Sequence, residues 1–292
     1  MSYLELSFDL GQQTPEAAEA ACFQTGALAV TFSDASDDPV LEPKPGEMRL
    51  WQRTRMQALF DASLADPALI GALAAAIGVP AEQLCARAVA DRVWEREWLR
   101  DFHAMRFGRR LWIAPRHETV ADSNAIVVRL DPGLAFGTGT HPTTAMCLEW
   151  LDSSDLRNLD LLDYGCGSGV LAIAALKLGA RSAFVHDIDP QALTAARENA
   201  IDNAVADRLH VCDRRQPLPA GCDVLVANIL ADILIAARQE LATLLRPGGR
   251  WLLSGILETQ ESEVVRAFRQ WSDMSRFARR DEWVTLSGTQ DS

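Results

Sequence analysis

Asp163, Gly165, Gly167 and Gly169 stand within a single short stretch, and Asp187 follows 22 positions after Gly165. Glycine at alternate positions lets the backbone turn tightly and lets a ligand approach the main chain. The apolar run Val170 to Leu176 then opens a helix. Its first N–H groups and its dipole favour a polar or anionic ligand group. Asp187 ends an apolar run of its own and is placed to accept both hydroxyls of a ribose. Asn228 closes the run Val224 to Ala227, at the carboxyl end of a strand, where open α/β sheets bind ligands. Its amide both donates and accepts. Together these residues predict a nucleotide-type site. A dinucleotide fingerprint has glycine at the first, third and sixth places. Counted from Gly165, the third place is Gly167, but the sixth is Val170, and the extra glycine, Gly169, is fifth. Val170 disfavours a nicotinamide-dependent oxidoreductase, which stays as an alternative.

A second loop leads into a helix. From Asp131 to Thr144 it holds Gly133, Gly137 and Gly139, the threonines 138, 140, 143 and 144, Phe136 and His141. Threonine hydroxyls and free N–H groups at a helix start suit a carboxylate or phosphate. His141 reads as a loop histidine bonded to backbone, ahead of a general base or a metal ligand, because no partner stands at ligand spacing. No metal site is expected.

These residues need a scaffold of buried strands and covering helices. Leu161 to Asp163, Ala183 to His186, Leu209 to Cys212, the run from Val224 into Asn228, and Trp251 to Ser254 read as successive strands. The intervening helices are the apolar one that follows the glycine loop from Val170, Gln191–Asn203 and Leu234–Leu245, with Asp189 as an N-cap. Glu261 to Trp271 adds a helix, and Glu282 to Leu286 a last strand. Leu111–Ala114 and Ala125–Leu130 read as two short strands, in the shape of a hairpin. Asp213 falls where acids reach adenine.

The N-terminal third has a different pattern. Leu4, Leu6 and Phe8 alternate with polar residues, as in a half-buried strand. Thr14-Pro15 starts a helix that Gly26 stops. Strands at Ala27–Phe32, within Met48–Phe60 and at Leu84–Val89 follow, with a helix at Pro67–Ile77 closed by Gly78. Asp34 to Gly46 reads as a polar loop. This β-α-β-β-α-β order is the ferredoxin-like split motif. Residues 1–91 contain no histidine and carry five basic and thirteen acidic residues, a net of −8 out of the chain's −12. A solvated acidic surface accounts for that charge. A domain without chemistry beside a catalytic one tips the reading toward docking a basic protein. Between the domains, Trp94, Trp98, Phe102 and Met105 share one helical face, predicting an amphipathic connector that packs on one domain or sets the angle between them. The boundaries are 1–91, 92–108 and 109–292.

The acidic chain is a poor non-specific binder of nucleic acid. Its longest apolar runs fall far short of a membrane span, and no secretory signal is visible at the N-terminus. Six scattered cysteines argue against a disulfide framework and suit a reducing cytoplasm. Nothing requires more than a monomer.

The segments Leu134 to Thr144 (LAFGTGTHPTT), Asp163 to Gly169 (DYGCGSG), Asp187 to Pro190 (DIDP) and Asn228 to Ala231 (NILA) together resemble the bacterial ribosomal protein L11 methyltransferase family. The resemblance covers essentially the whole chain. The glycine loop is common to many methyltransferases, whereas GTGTHPTT followed by NILA is more specific. It implies a class I, Rossmann-like doubly wound α/β domain dependent on S-adenosylmethionine (AdoMet), preceded by a ferredoxin-like α+β substrate-recognition domain. It implies methylation of the α-amine and lysine ε-amines of the stalk-base protein of the large ribosomal subunit. Carried over by motif, Thr144, Gly165, Gly167, Asp187 and Asn228 contact the cofactor, with Phe136 and His141 near it. Asn228 is the candidate catalytic residue. His186, before Asp187, departs from the small residue usual there. Another basic protein as substrate, or a non-catalytic AdoMet-binding module in ribosome assembly, are the further alternatives.

Overall fold

A computed structural model describes residues 3–11, 13–35, 53–64, 66–89, 103–131, 141–213 and 218–291. The chain divides into two units, Met1–Trp94 and Glu95–Ser292.

In the first unit, strand β1 (Tyr3–Asp9) alternates as its sequence requires, turning Leu6 and Phe8 into the core. Helix α1 (Pro15–Gln24) begins at Thr14, whose Oγ1 accepts from Ala17 N at 3.4 Å. Strands β2 (Ala29–Asp34) and β3 (Thr54–Asp61) follow. Helix α2 (Pro67–Ile77) is capped by Asp66, which accepts from Ala68 N at 2.9 Å, and it ends at the left-handed Gly78. Strand β4 (Cys85–Val89) closes the unit. The sheet order is β2-β3-β1-β4 with every neighbouring pair antiparallel, which is the ferredoxin-like arrangement. Leu6, Met56, Phe60 and Leu73 are fully buried between sheet and helices.

The second unit opens with β5 (Met105–Phe107), β6 (Leu111–Ala114) and β7 (Ile126–Arg129). Two expectations are corrected here. Met105 is on a strand paired antiparallel with β6, not on the connector helix; the rest of that helical face, Trp94, Trp98 and Phe102, lies outside the described residues. Strands β6 and β7 pair in parallel, not as a hairpin, because the residues between them carry the chain back to the starting end of β6.

Helix α3 (Pro142–Ser153) precedes β8 (Asp160–Tyr164), α4 (Val170–Lys177), β9 (Ser182–His186), α5 (Pro190–Asp202), β10 (Leu209–Cys212), β11 (Cys222–Asn228), α6 (Ala231–Leu244), β12 (Leu245–Leu257) and α7 (Glu261–Phe268). A terminal pair, β13 (Ser275–Arg280) and β14 (Trp283–Thr289), ends the chain. The seven strands run in the order β10-β9-β8-β11-β12-β14-β13, parallel from β10 through β12 and antiparallel beyond. Side-chain alternation sorts the core into two layers. Leu161, Val224 and Val226 pack with α3, α4 and α5; Leu162, Leu225 and Ala227 pack with α6 and α7. Helix α4 is buried from Val170 to Leu176, and each large side chain it sequesters stabilises the fold by roughly 1.5–3 kcal/mol. The strand order reverses between β8 and β11, so the crevice above their carboxyl ends is the topological switch point where such sheets bind ligands.

Candidate active site

At that crevice lies a cavity of about 300 Å³. Thr144, Gly165, Gly167, Asp187 and Asn228 all line it. The glycine loop is hung from β9: the carbonyl of His186 accepts from Gly165 N at 2.8 Å and from Cys166 N at 3.0 Å. Asp187 then holds the loop from the side, Oδ2 accepting from Gly167 N and Oδ1 from Asp189 N, both at 2.9 Å. An ionised carboxylate has about four lone-pair sites, so these two bonds leave acceptor capacity toward the cavity. Asp189 caps α5 through Gln191 N at 2.8 Å.

On the opposite wall, Asn228 ends β11. Its Nδ2 donates to Thr144 Oγ1 at 3.2 Å. The adjacent strand continues the tie: Ser254, in register with Asn228, donates to the Thr143 carbonyl at 3.3 Å and meets Thr285 Oγ1 at 2.7 Å. The first turn of α3 is thereby bonded to two adjacent strands at once. Ile229 follows Asn228 and is clamped between two glycines. A Cβ on Gly165 (φ +79°) would collide with Ile229 Cγ2, and one on Gly255 (φ +80°) would collide with the Ile229 backbone. Both positions need glycine for close approach and for a left-handed backbone.

Asp163 sits beneath the loop, 1% exposed. Its Oδ2 accepts from Ala172 N at 3.2 Å, and its Oδ1 is buried without a partner. Burial pushes its pKa up to about 7, with the charge of Asp187 adding to the rise and the Ala172 bond opposing it. Burial also pushes the Cys166 thiol far up, so this cavity-lining sulfur is neutral and a poor nucleophile.

Other sequence-predicted residues fall elsewhere. His141 caps α3, its Nδ1 accepting from Thr143 N at 3.4 Å, and its ring meets Trp283 edge-on with centroids 5.2 Å apart. Phe136 lies outside the described residues. His186 lines the cavity; its ring leans on Tyr164 at 5.1 Å, and its Nδ1 lies 3.1 Å from the Cys212 carbonyl. A carbonyl only accepts, so Nδ1 carries the proton. Sequence reasoning did not assign Tyr164, Ile188 or Ile233 to the site, yet all three line the cavity. Ile188 had a signal: a large apolar residue directly after the ribose-type acid, here 69% exposed, offers a flat apolar contact. Among the described residues, no three His, Cys, Asp or Glu side chains gather as a metal site, and no helix is long and apolar enough to cross a membrane.

With this geometry in place, comparison with known proteins is informative. Residues 2–291 match the family model described as ribosomal protein L11 methyltransferase (PrmA). A ribosomal protein L11 methyltransferase from Alkalilimnicola ehrlichii is 47% identical over 293 residues, spanning 99% of each chain. One from Vibrio cholerae is 50% identical over 268 residues, 91% of this chain and 90% of that one. The crystal structure of a ribosomal protein L11 methylase from Lactobacillus delbrueckii subsp. bulgaricus superposes with a TM-score of 0.57 at 32% identity, covering 65% of this chain and all of that one. Family match, seven-strand order and cavity agree, and this chain belongs to the ribosomal protein L11 methyltransferase (PrmA) family of protein methyltransferases.

Proposed function

We propose that this enzyme transfers methyl groups from AdoMet to the α-amine and lysine ε-amines of the large-subunit ribosomal protein L11. The observation that carries the reading is the convergence of Thr144, Gly165, Gly167, Asp187 and Asn228 on one cavity. The cavity suits AdoMet in its parts. Asp187 has acceptor capacity for ribose hydroxyls, Ile188 and Ile233 offer apolar contact to a base, and the buried Asp163 carboxyl beneath the loop, with Oδ1 unsatisfied, biases the site toward a cation. Phe136 and His141 complete the cofactor set that the family motif implies.

When bound, AdoMet supplies an electrophilic methyl group whose sulfur leaves as a neutral thioether. The chain's task is to present a neutral amine in line with that methyl. Orientation of this kind lowers a barrier by on the order of 7–11 kcal/mol. Deprotonating a free lysine at pH 7 costs about 4.6 kcal/mol, against about 1.1 kcal/mol for an α-amine. The site therefore has to favour the uncharged lysine by excluding water and by accepting its N–H bonds. Asn228 is the residue assigned to that task. With Nδ2 donated to Thr144, its Oδ1 is left as the acceptor for the amine. Ile229, held by the two glycines, screens water from the same wall.

The N-terminal domain, residues 1–91, is assigned substrate recognition, and residues 109–292 the chemistry. The protein works in the cytoplasm as a monomer, without binding nucleic acid or membrane. Intact-mass spectrometry of free L11 after incubation with the enzyme and AdoMet tests the activity. Mass gains in methylene steps, absent with Asp187→Ala, support it. No gain while AdoMet still binds removes L11 as the substrate and points to another basic protein.

A further inference from the structure

A large apolar side chain exposed singly, such as Ile201 or Phe277, is normal for any protein. Ile188 and Ile233 belong to the cofactor cavity. One group remains. Phe23, Leu28 and Leu64 are 48%, 57% and 44% exposed, and all three stand beside or against the turn at Gly26 in the first unit. Phe23 is on the last turn of α1, and its carbonyl accepts from Gly26 N at 3.0 Å. Leu28 stands two residues past Gly26, its N–H bonded to Leu59 O at 2.7 Å, at the entry to the edge strand β2. Leu64 covers the same turn, its Cδ1 3.7 Å from where a Cβ on Gly26 would lie. Contiguous exposed apolar side chains mark interaction sites in a way that single ones do not.

Among the described residues, the charges placed around this corner are acidic. Glu19 lies one turn before Phe23 on α1. Asp61 ends β3 and accepts from Ser63 N at 2.8 Å and from Ser63 Oγ at 2.7 Å, ordering the turn that presents Leu64. Asp66 follows as the cap of α2. The described arginines of this unit are engaged elsewhere: Arg53 and Arg55 with Asp9 near the opposite end of β3, and Arg87 with Glu5. An apolar centre with an acidic rim is complementary to an apolar patch ringed by lysine or arginine.

We infer that the Phe23–Leu28–Leu64 corner is a docking surface for the lysine-bearing protein substrate. This rests on the reading under Proposed function, since a substrate methylated on its amines carries positive charge. Binding at this corner raises the local concentration of those amines at the enzyme without touching the reacting atoms.

The test uses the full chain with free L11 and AdoMet. The triple variant Phe23→Ser, Leu28→Ser, Leu64→Ser removes half-exposed apolar side chains, and an unchanged melting temperature and AdoMet Kd report its folding. KM for L11 rises about tenfold or more, with kcat at saturation unchanged. Glu19→Lys raises KM in the same direction and weakens its salt dependence. An unchanged KM in the folded triple variant overturns the docking surface while leaving the activity intact. Calorimetric titration of L11 separates the two claims from the other side. Binding that the triple variant weakens, without methylation by the wild type, keeps the surface and overturns the activity. A wild-type dimer that the triple variant dissolves, with KM unchanged, makes the corner a self-contact and overturns the proposal.

Discussion

Asn228 Nδ2 donates to Thr144 Oγ1 across 84 residues of sequence, at 3.2 Å. This bond joins the end of β11 to the first turn of α3, and it orients both side chains of the cavity wall. Asn228→Ala removes the proposed acceptor for the amine while leaving the Asp187 side untouched. We expect kcat to fall about 100-fold, the scale of losing one oriented polar group at a reacting centre, with AdoMet Kd changed less than about tenfold. Pre-steady-state methylation alongside calorimetry checks this. A rise in AdoMet Kd as large as the fall in kcat makes Asn228 a cofactor ligand only.

Asp187 serves the loop and the cofactor together. Asp187→Asn keeps the shape but loses the charge and one acceptor, so its bonds to Gly167 N and Asp189 N are disturbed. Hydrogen bonds to charged groups contribute about 1.5–3 kcal/mol, and AdoMet Kd should rise roughly 10- to 150-fold. Equilibrium binding of AdoMet measures it. A Kd within twofold of wild type contradicts the assignment.

Gly165→Ala puts a methyl group into Ile229 at a backbone φ of +79°. The left-handed strain costs of order 1–3 kcal/mol, and displaced Ile229 moves the wall beside Asn228. Thermal unfolding should show a lower melting temperature, and AdoMet binding should weaken in the same variant.

Asp163 makes both stability and binding depend on pH. Its folded pKa is raised to about 7, above the value near 3.9 of an unfolded aspartate. The folded apo protein therefore holds more protons between these limits. The carboxyl's contribution is most favourable below about pH 4 and is lost as pH rises through about 7, by up to about 4 kcal/mol. Asp163→Asn should raise apo stability at pH 8 and flatten this window, as read from denaturant titrations at several pH values. AdoMet is cationic and favours the ionised form, so wild-type affinity should increase as pH rises through about 7, a trend that Asp163→Asn abolishes.

Local signals in the chain were legible where one residue type answers one local need. Thr14 and Pro15, Gly78 and Asp189 mark helix ends because a cap satisfies backbone groups a few residues away; the Asp66 cap of α2 came only with the structure. Strand β13 was invisible: its sequence, SRFARR, has no apolar alternation because its side chains are mostly exposed. It forms by pairing with β14 at the sheet edge. The parallel pairing of β6 and β7 was equally hidden, since short apolar runs carry no direction. Met105 fits a helical stripe by spacing and a strand by pairing, and long-range pairing decided it.

What the sequence determined by itself is the chemistry at each place: glycines at 165, 167 and 169, an acid at 187, an amide at 228 and a threonine pair at a helix start. Such residues are specified by local backbone and hydrogen-bonding needs, which depend on neighbours a few positions away. Only the tertiary structure decided that Thr144 reaches Asn228, that Gly165 and Gly255 close on Ile229, and that Asp163 is shut away from water. Those relations arise because a seven-strand sheet brings distant strand ends to one edge. Contact and burial there are set by packing between segments that no local pattern connects.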